Sequence, residues 1–342
     1  MKYGKIISRI RTGSHLYGLN TPKSDEDFVG VFIPTAESLL GLKKVEVVDQ
    51  STKKSSSTSR NTAEDIDEKY YALPKFLHLL LQNNPNIIEL LFANEKNILI
   101  SSDIWEELVS NVDKIISQKI YHTFKGYAFS QKKKLMIKSE RYKSLEEGIQ
   151  IIDELAFEDA YEMFENNYTK KELLDKVTKD PKGFYWREIT ENEAELLNSR
   201  LKYYKGKKQN CESFHKGMSL GMIYSKILHE YNNYGWRVKT DTFETLHYDC
   251  KFGYHLIRIL VECYELLKNR ALSYPISGQA REDIIRIREG KVEIKELLSL
   301  YDKYEKLCDE AYKNTTLPNK PNFNWANHWI IKILKTYIVS ST

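Results

Sequence analysis

Two aspartates that stand one residue apart, Asp25 and Asp27, are the side chains with the clearest chemical potential in this sequence. The stretch from Asp27 to Ile33 is rich in β-branched and aromatic residues, which predicts a strand. Side chains two residues apart on a strand point to the same face, with Cα atoms roughly 6.6 Å apart. Neighbouring carboxylates repel each other, and a cation between them lets both stay ionised. The pair is therefore typical of a clamp for Mg²⁺ and a nucleotide's phosphates.

Gly13 and Ser14 precede the aspartate pair and follow residues 3–11, whose loose alternation predicts another short strand. Glycine lets a backbone approach a phosphate closely, and N–H groups at the start of a helical turn donate to phosphate oxygens. The serine hydroxyl adds one more donor. Alone, an acidic pair is usually a solvated turn, and a Gly-Ser step is simply a turn. Their combination between two predicted strands is far more specific for a metal-triphosphate site.

The elements that must hold these residues lie in the first part of the chain. Residues 45–49 and 65–71 predict two more strands, and residues 50–62, nearly all small polar or basic, predict a solvated, mobile loop. From Leu73 onward the apolar residues fall at helical spacing until Asn84-Pro85 interrupts the chain. A further helix is predicted to begin at Ile87.

Most of the remaining chain has a helical pattern. The clearest predicted helices are residues 104–116, 147–164, 214–231, 252–267 and 294–312. The predicted fold class is therefore α+β, with a small mixed β-sheet domain in residues 1–95 and a larger, mostly helical domain in residues 96–342.

Composition limits the class of protein. The chain has 342 residues with 41% hydrophobic and 29% charged, enough to bury a core without disulfides. Its four cysteines form no CxxC pair, so no zinc or redox motif is indicated. No apolar run approaches the ~20 residues that span a bilayer, and no signal peptide opens the chain. We therefore expect a soluble, cytoplasmic protein without a membrane partner.

The stretch GSHLYGLNTPKSDEDFVGVFIP resembles the signature of the DNA polymerase β-like nucleotidyltransferase superfamily, in which Gly-Ser is followed by Asp-x-Asp. It is most similar to a stand-alone nucleotidyltransferase branch associated with RNA repair. The resemblance is strong over residues 3–92, weaker over residues 214–300, and nearly absent between them. The residues that match the branch's motif are Gly13, Ser14, Gly18, Leu19, Ser24, Asp25 and Asp27.

This resemblance implies transfer of a nucleoside monophosphate from an NTP to an acceptor, with release of pyrophosphate. Residues 1–95 would form the nucleotidyltransferase catalytic domain, and residues 96–342 would serve acceptor binding and closure over the nucleotide. Asp25 and Asp27 would hold two Mg²⁺ ions, for which Mn²⁺ can substitute. Gly13 and Ser14 would cradle the β- and γ-phosphates.

A third carboxylate on a later strand is also implied by the resemblance. Asp65 and Asp67 are the two candidates, and Asp67 is preferred because it lies four residues before Tyr71, as in the branch's pattern. It would complete one metal site and accept the proton of the attacking hydroxyl as general base. The open alternative is a solvated charge at the end of the loop.

Five more side chains are candidates for nucleotide binding: Arg11, Lys75, Lys251, His255 and Arg258. Arg11 precedes the Gly-Ser turn and Lys75 lies on the helix after the third strand, and for each an exposed, solvated charge is the simpler interpretation. The other three share one helical face at spacings of four and three residues. That face is either an ordinary basic surface or one that closes over the active site.

The acceptor is the least defined part of the predicted function. Basic residues interleaved with tyrosines occur at residues 132–143 and 200–208, a pattern that suits phosphates and stacked bases. The acidic stretch at residues 153–165 argues against one continuous basic groove. RNA or tRNA is the expected acceptor, while a small molecule, a protein side chain or a non-catalytic nucleotide-sensing module stay open. The preferred NTP and the oligomeric state are not encoded in any motif.

Overall fold

The computed structural model describes residues 3–22, 24–52, 66–164, 172, 187–201, 214–238, 246 and 248–341. Asp65, most of the predicted loop at residues 50–62, and most of the basic cluster at residues 200–208 lie outside these ranges. The chain forms two compact units, one made of residues 1–131 and 250–342, the other of residues 132–249. The boundary that the sequence predicts at residue 95 lies inside the first unit.

A mixed five-stranded sheet forms the beginning of the first unit, in the order β3-β4-β2-β1-β5. Its strands are β1 Gly4–Arg11, β2 Glu26–Pro34, β3 Val47–Asp49, β4 Ile66–Ala72 and β5 Ile98–Ser101. Strand β1 pairs antiparallel with both β2 and β5, and β3 pairs antiparallel with β4. Strands β2 and β4 are parallel, which makes the sheet mixed. The predicted small mixed sheet followed by helices is thus confirmed.

The predicted strands form because their apolar residues can be buried. In β1 and β2, Ile7, Ile10 and Ile33 are fully buried. Strand β5 was not predicted from the sequence, since it has four residues only and lies at the edge of the sheet. Its residues Leu99 and Ile100 stay about 40% exposed, so it lacks the alternation that marks a half-buried strand.

Short helices connect and flank the strands. They are α1 Gly13–Tyr17, α2 Ala36–Leu40, α3 Leu73–Leu81, α4 Pro85–Ile88 and α5 Asp103–Ser110, with 3₁₀ turns at Glu89–Phe92, Glu95–Asn97 and Val112–Lys114. The apolar stripe predicted for α3 is buried, and Phe76 packs against Trp105 of α5. The Asn84 side chain accepts from the Asn86 N–H and so begins α4 at the predicted break.

Four long helices complete the first unit: α9 Cys250–Asn269, α10 Gly278–Arg288, α11 Ile294–Asn314 and α12 Phe323–Ser341. Helix α9 buries most of its length, and the Sγ of Cys308 in α11 donates to the Leu260 carbonyl. The periodicity predicted α9 and α11 within a few residues. Among the helices in the described ranges, none is both long enough and apolar enough to cross a membrane.

The second unit has a core of its own. It is built by the later part of α6 Lys119–Phe164, by α7 Glu191–Arg200 and by α8 Leu220–Val238. The fully buried residues of this core are Leu145, Ile152, Leu197, Leu220, Ile223 and Ile227.

The helix predicted at residues 214–231 begins later, at Leu220. The backbone of Phe214 exchanges hydrogen bonds of 2.7 Å with the Asn198 side chain, and Leu220 N–H donates to the Arg187 carbonyl. These partners hold the preceding residues outside a helix.

Candidate active site

The parallel pairing of β2 with β4 places Asp27 directly opposite Asp67. Neighbouring strands lie about 4.8 Å apart, and residues at one register position of a parallel pair point to the same face. Asp25 immediately precedes β2, and its charge acts on Asp27. Two of the three carboxylates proposed as ligands are therefore neighbours because of sheet topology, and the third because of chain proximity.

Asp27 carries a clear electrostatic signature. Burial and then the negative charges of Asp25 and Asp67 together raise the pKa of Asp27 to about 6, while Lys251 and Lys69 oppose the shift. A carboxylate in this position gains a proton easily unless additional positive charge keeps it ionised. The site thus has an excess of negative charge that suits a bound cation.

The third carboxylate, Asp67, is held at one oxygen. The Lys69 ammonium lies 3.3 Å from Oδ1, and the Ser51 hydroxyl lies 2.9 Å from the same atom. That hydroxyl is also 2.6 Å from Asp49 Oδ1 and, with one hydrogen, donates to one of the two at a time. Burial lowers the pKa of Lys69, but the negative charges of Asp67 and Asp49 outweigh burial and raise this pKa above its usual range. Ser51 and Lys69 thus orient Asp67 at a single atom.

The Gly-Ser turn contacts Asp27. Gly13 has φ +62°, and a Cβ on this residue would lie 2.2 Å from Asp27 Oδ2. Only glycine can therefore occupy the position without moving the carboxylate. The preceding N–H, of Thr12, donates to the Asp27 carbonyl at 2.8 Å and ties the turn to β2. Helix α1 begins at Gly13, and within the described residues no side chain caps its first turn, in which Ser14 also lies.

Helices α9 and α10 bring further groups to this turn. The charge of Lys251 acts on Asp27, and the charge of Asp27 acts on Tyr254. Arg288 donates to the Leu19 carbonyl, donates to the Ser24 hydroxyl at 3.2 Å, and lies 5.5 Å from the centre of the Tyr254 ring. The C-terminal helices of the first unit therefore line the side of the site that carries the Gly-Ser turn.

Sequence reasoning missed three of these residues. Lys69 carried a usable signal, because it stands two residues after Asp67 on a predicted strand and so shares its face. Tyr254 lies inside the stretch that resembled the nucleotidyltransferase branch, but it was not singled out. Arg288 lies more than 260 residues from its partners Leu19 and Ser24, and no local pattern marks it.

His255 and Arg258 have surroundings that differ from those expected. Burial, together with the positive charges of Arg258, Lys251 and Arg288, holds the pKa of His255 well below its usual range, so the imidazole is neutral. Its ring lies 4.3 Å from that of Tyr254. A neutral ring can accept a hydrogen bond but supplies no charge to a phosphate.

Arg258 is enclosed in a buried ion network. Its guanidinium donates to Glu89 at 2.9 Å and to Glu262 at 2.7 Å, and it lies 4.1 Å from the centre of the Tyr17 ring. The Tyr17 hydroxyl donates to Glu89, and the Tyr274 hydroxyl donates to Glu262, both at 2.9 Å. The Arg258 side chain is 3% exposed, so it is not available to a triphosphate in this arrangement. It instead holds the helix that carries the Gly-Ser turn, because Tyr17 is the last residue of α1.

Arg11 and Lys75, also predicted to bind nucleotide, pair with carboxylates. Arg11 lies 3.3 Å from Glu26, and its guanidinium is 5.9 Å from the centre of the Phe28 ring. Lys75 lies 3.0 Å from Glu46. It stands in α3, beyond the far end of β4, and the five residues from Asp67 to that end span about 17 Å. The structure does not bring Lys75 together with the three aspartates of the candidate active site.

The donor set suits a hard divalent cation. Asp25, Asp27 and Asp67 offer oxygen atoms, which Mg²⁺ prefers, and Mg²⁺ is usually held by one or two carboxylates with substrate phosphates and water. Within the described ranges, no three His, Cys, Asp or Glu side chains converge closely enough to form a metal cage by themselves. By their chemistry, Asp25, Asp27 and Asp67 are the residues that could hold such a cation together with substrate phosphates.

Comparison with known proteins agrees with the motif at this site. Residues 2–148 match the model of the RNA repair pathway DNA polymerase beta family, which confirms the resemblance inferred from the sequence. An uncharacterized 38.9 kDa protein from the nrdC-mobD intergenic region of enterobacteria phage T4 is 27% identical over 153 residues. That similarity covers 44% of this chain and 45% of the phage protein, so the chain matches less than half of that relative's length. No solved structure matches the chain.

Proposed function

We propose that this protein is a Mg²⁺-dependent nucleotidyltransferase that transfers a nucleoside monophosphate from an NTP to RNA or tRNA and releases pyrophosphate. One observation carries the proposal. Asp27 lies opposite Asp67 in a parallel strand pair, the charge of Asp25 raises its pKa, and its carboxylate contacts the turn at Gly13. The carboxylate oxygens are thus in contact with the turn that would bind the phosphates, as nucleotidyl transfer requires.

The carboxylates have distinct roles in this mechanism. Asp25 and Asp27 would hold the two metal ions, and Asp67 would complete one metal site and accept the proton of the attacking hydroxyl. When bound, Mg²⁺, or Mn²⁺ in its place, supplies charge neutralisation for the phosphates and lowers the pKa of the attacking hydroxyl. Ser51 and Lys69 contact Oδ1 of Asp67 and so orient the carboxylate, and neither of these two contacts involves Oδ2.

The remaining groups bind and orient the triphosphate. The N–H groups of Gly13 and Ser14 and the serine hydroxyl donate to the β- and γ-phosphates. Lys251, whose charge already acts on Asp27, neutralises the leaving pyrophosphate. Arg288 keeps the loop after α1 in place through the Leu19 carbonyl and Ser24. Catalysis then depends on positioning and on charge neutralisation.

RNA as the acceptor is supported by the match of residues 2–148 to a DNA polymerase beta family of the RNA repair pathway. The same chemistry would serve a small molecule or a protein side chain as acceptor, and a nucleotide-sensing module would bind without turnover. Paired carboxylates favour catalysis, because a module without metal chemistry has little use for two repelling charges.

The deciding experiment incubates the protein with Mg²⁺, radiolabelled NTPs and total RNA. Label should enter RNA with the wild type and not with Asp25→Ala/Asp27→Ala, while Asp302→Ala, which removes an exposed carboxylate of α11, should behave as wild type. Pyrophosphate release and calorimetric NTP binding are measured in parallel. Pyrophosphate release without labelled RNA would indicate another acceptor. NTP binding without pyrophosphate release for any acceptor would contradict transferase activity.

A further inference from the structure

A second cleft lies in the first unit and includes none of the residues of the candidate active site. Its volume is about 630 Å³, within the range of ligand-binding pockets. It lies between the end of α3, the beginning of α6, the end of α11 and the segment that leads into α12. Main-chain bonds fix that segment, because Gln118 N–H donates to the Pro318 carbonyl and Asn322 N–H donates to the Lys114 carbonyl.

Aromatic rings form part of its wall. Tyr312 stacks on Tyr121 with ring centres 4.1 Å apart and planes at 13°. The ring centre of His122 lies 5.7 Å from that of Tyr312, with the planes at 74°. Phe323, the first residue of α12, is 65% exposed and lines the same cleft. A large exposed aromatic side chain beside a stacked pair offers faces on which a flat ring can stack.

The charged groups of the lining are positive. Lys119 and Lys320 are both exposed, and neither has an ion-pair partner among the residues that the structure describes. The lining contains no carboxylate, while it includes two amide side chains, of Gln118 and Asn319. The Gln118 NH₂ is occupied by the Leu317 carbonyl.

We propose that this cleft binds one unpaired nucleotide of a single-stranded RNA. The base of that nucleotide stacks against Phe323 and Tyr312, and Lys119 and Lys320 contact the adjoining phosphates. Aromatic faces combined with unpaired lysines distinguish such a strand from an apolar peptide, which would leave both ammonium groups without a partner. The identification of the strand as RNA rests on the proposed function, whereas the stacking and charge argument rests on the cleft.

Fluorescence anisotropy of a short labelled single-stranded RNA, measured without NTP, tests this site. Phe323→Ala should weaken binding about 5- to 150-fold, the loss expected for one base-stacking side chain. Phe129→Ala is the matched control, because Phe129 is 61% exposed on α6 and does not line the cleft. It should leave the affinity unchanged.

The lysines are tested by the dependence of affinity on salt. Lys119→Ala/Lys320→Ala should weaken binding and reduce the slope of log affinity against log salt by about 1.4, since each single-strand phosphate contact contributes about 0.7. Lys295→Ala/Lys306→Ala removes two exposed lysines of α11 outside the cleft and should lower the slope less. Circular dichroism checks that all four variants are folded.

The outcomes separate this site from the proposed activity. Asp25→Ala/Asp27→Ala should keep the RNA affinity of the wild type, and Phe323→Ala should keep its NTP affinity. Equal RNA affinity of Phe323→Ala and Phe129→Ala would overturn the proposed cleft, and so would a failure of the wild type to bind RNA. Tighter binding of a mononucleotide than of the strand would show that the cleft is a separate nucleotide site and would overturn it as well.

Discussion

At the scale of single residues, Asp27 links the two halves of the candidate active site. Its carboxylate fills the space that a side chain at position 13 would need, and it shares the sheet face with Asp67. The short motif from Gly13 to Asp27 could be recognised from sequence because its residues are close along the chain. Arg288 could not, since its contacts with that motif depend on the packing of a distant helix.

Gly13 offers a sharp test of this geometry. Gly13→Ala should lower the free energy of unfolding by about 1–2 kcal/mol, the cost of a left-handed backbone for a residue with a Cβ. It should also reduce nucleotidyl transfer, because the methyl group displaces Asp27. Chemical denaturation and pyrophosphate release measure the two effects.

Gly126 provides the matched control for that substitution. Apart from its chain neighbours and the nearby backbone of α6, a Cβ at this position would meet no atom of the described residues within 4 Å. Gly126→Ala should therefore raise the free energy of unfolding by about 0.5–1 kcal/mol, as expected for a helix interior, and leave transfer unchanged. Equal effects of the two substitutions would contradict the contact between the turn and Asp27.

At the scale of elements, helix α9 behaves differently from its sequence pattern. The spacing of Lys251, His255 and Arg258 predicted one shared face, and the structure gives its members different environments. Lys251 is exposed near Asp27, whereas Arg258 is buried because Glu89 and Glu262 neutralise it. Periodicity identifies a face, but only the partners on other elements decide which of its charges are buried.

The buried network makes stability depend on pH. Burial, to which the charge of Glu262 adds, raises the pKa of Glu89 from 4.5 to about 7 although Arg258 opposes the shift. Burial raises the pKa of Glu262 as well. Between pH 4.5 and about 7, Glu89 therefore holds a proton in the folded state that it has lost in the unfolded state. The stabilisation that the protonated Glu89 provides is fully present below pH 4.5 and is lost as the pH rises towards 7.

Glu89→Gln should remove part of that dependence. Its free energy of unfolding should fall less than that of the wild type as the pH rises through this range, as measured by urea denaturation at a series of pH values. Glu95→Gln, in the neighbouring 3₁₀ turn, should keep the slope of the wild type. A slope for Glu89→Gln as steep as that of the wild type would place the titrating group elsewhere.

Helix α7 in the second unit is stabilised by its first turn. Thr190 and Glu193 form a capping box, and Glu193 also makes a two-point ion pair with Arg187 that helps to lower the pKa of this carboxyl to about 2. The contribution of the ionised Glu193 carboxylate to stability is present above pH 4.5 and is lost as the pH falls towards 2.

Thr190→Ala should cost about 1 kcal/mol, the usual value of an N-cap side chain. Amide hydrogen exchange should report faster opening in residues 191–200, with no change in α9. Ser199→Ala is the control near the other end of α7, because its hydroxyl donates to the Leu196 carbonyl inside the helix and caps nothing at its start. Exchange rates in α7 that respond equally to both substitutions would rule out the cap as the stabilising contact.

At the scale of the whole molecule, the first unit is discontinuous in sequence. Residues 132–249 form a unit of their own between its two segments. Local patterns predicted the sheet and several helices, because burial of alternating or helically spaced apolar residues is a local signal. They could not predict that α9 and α10 return to the Gly-Ser turn, since that depends on long-range packing.

A chain that ends at Asp249 tests this discontinuity. It lacks Arg258, so Glu89 would lose its counter-ion and Tyr17 would lose the guanidinium that lies over its ring. We expect such a chain to lose cooperative thermal unfolding and to become sensitive to protease within residues 1–131. The full-length chain is the reference, and cooperative unfolding of the truncated chain would show that its first segment folds alone.

The return of α9 and α10 to the Gly-Ser turn has a consequence during translation. A ribosome releases the acidic motif into solution long before it has made Lys251 and Arg288, and a nascent chain folds as its segments emerge. Until residue 288 has left the exit tunnel, the carboxylates are present without the cations that help to complete the pocket. Synthesis interrupted at any earlier codon would therefore yield a chain whose Gly-Ser turn and carboxylates lack Arg288, and before codon 251 Lys251 as well.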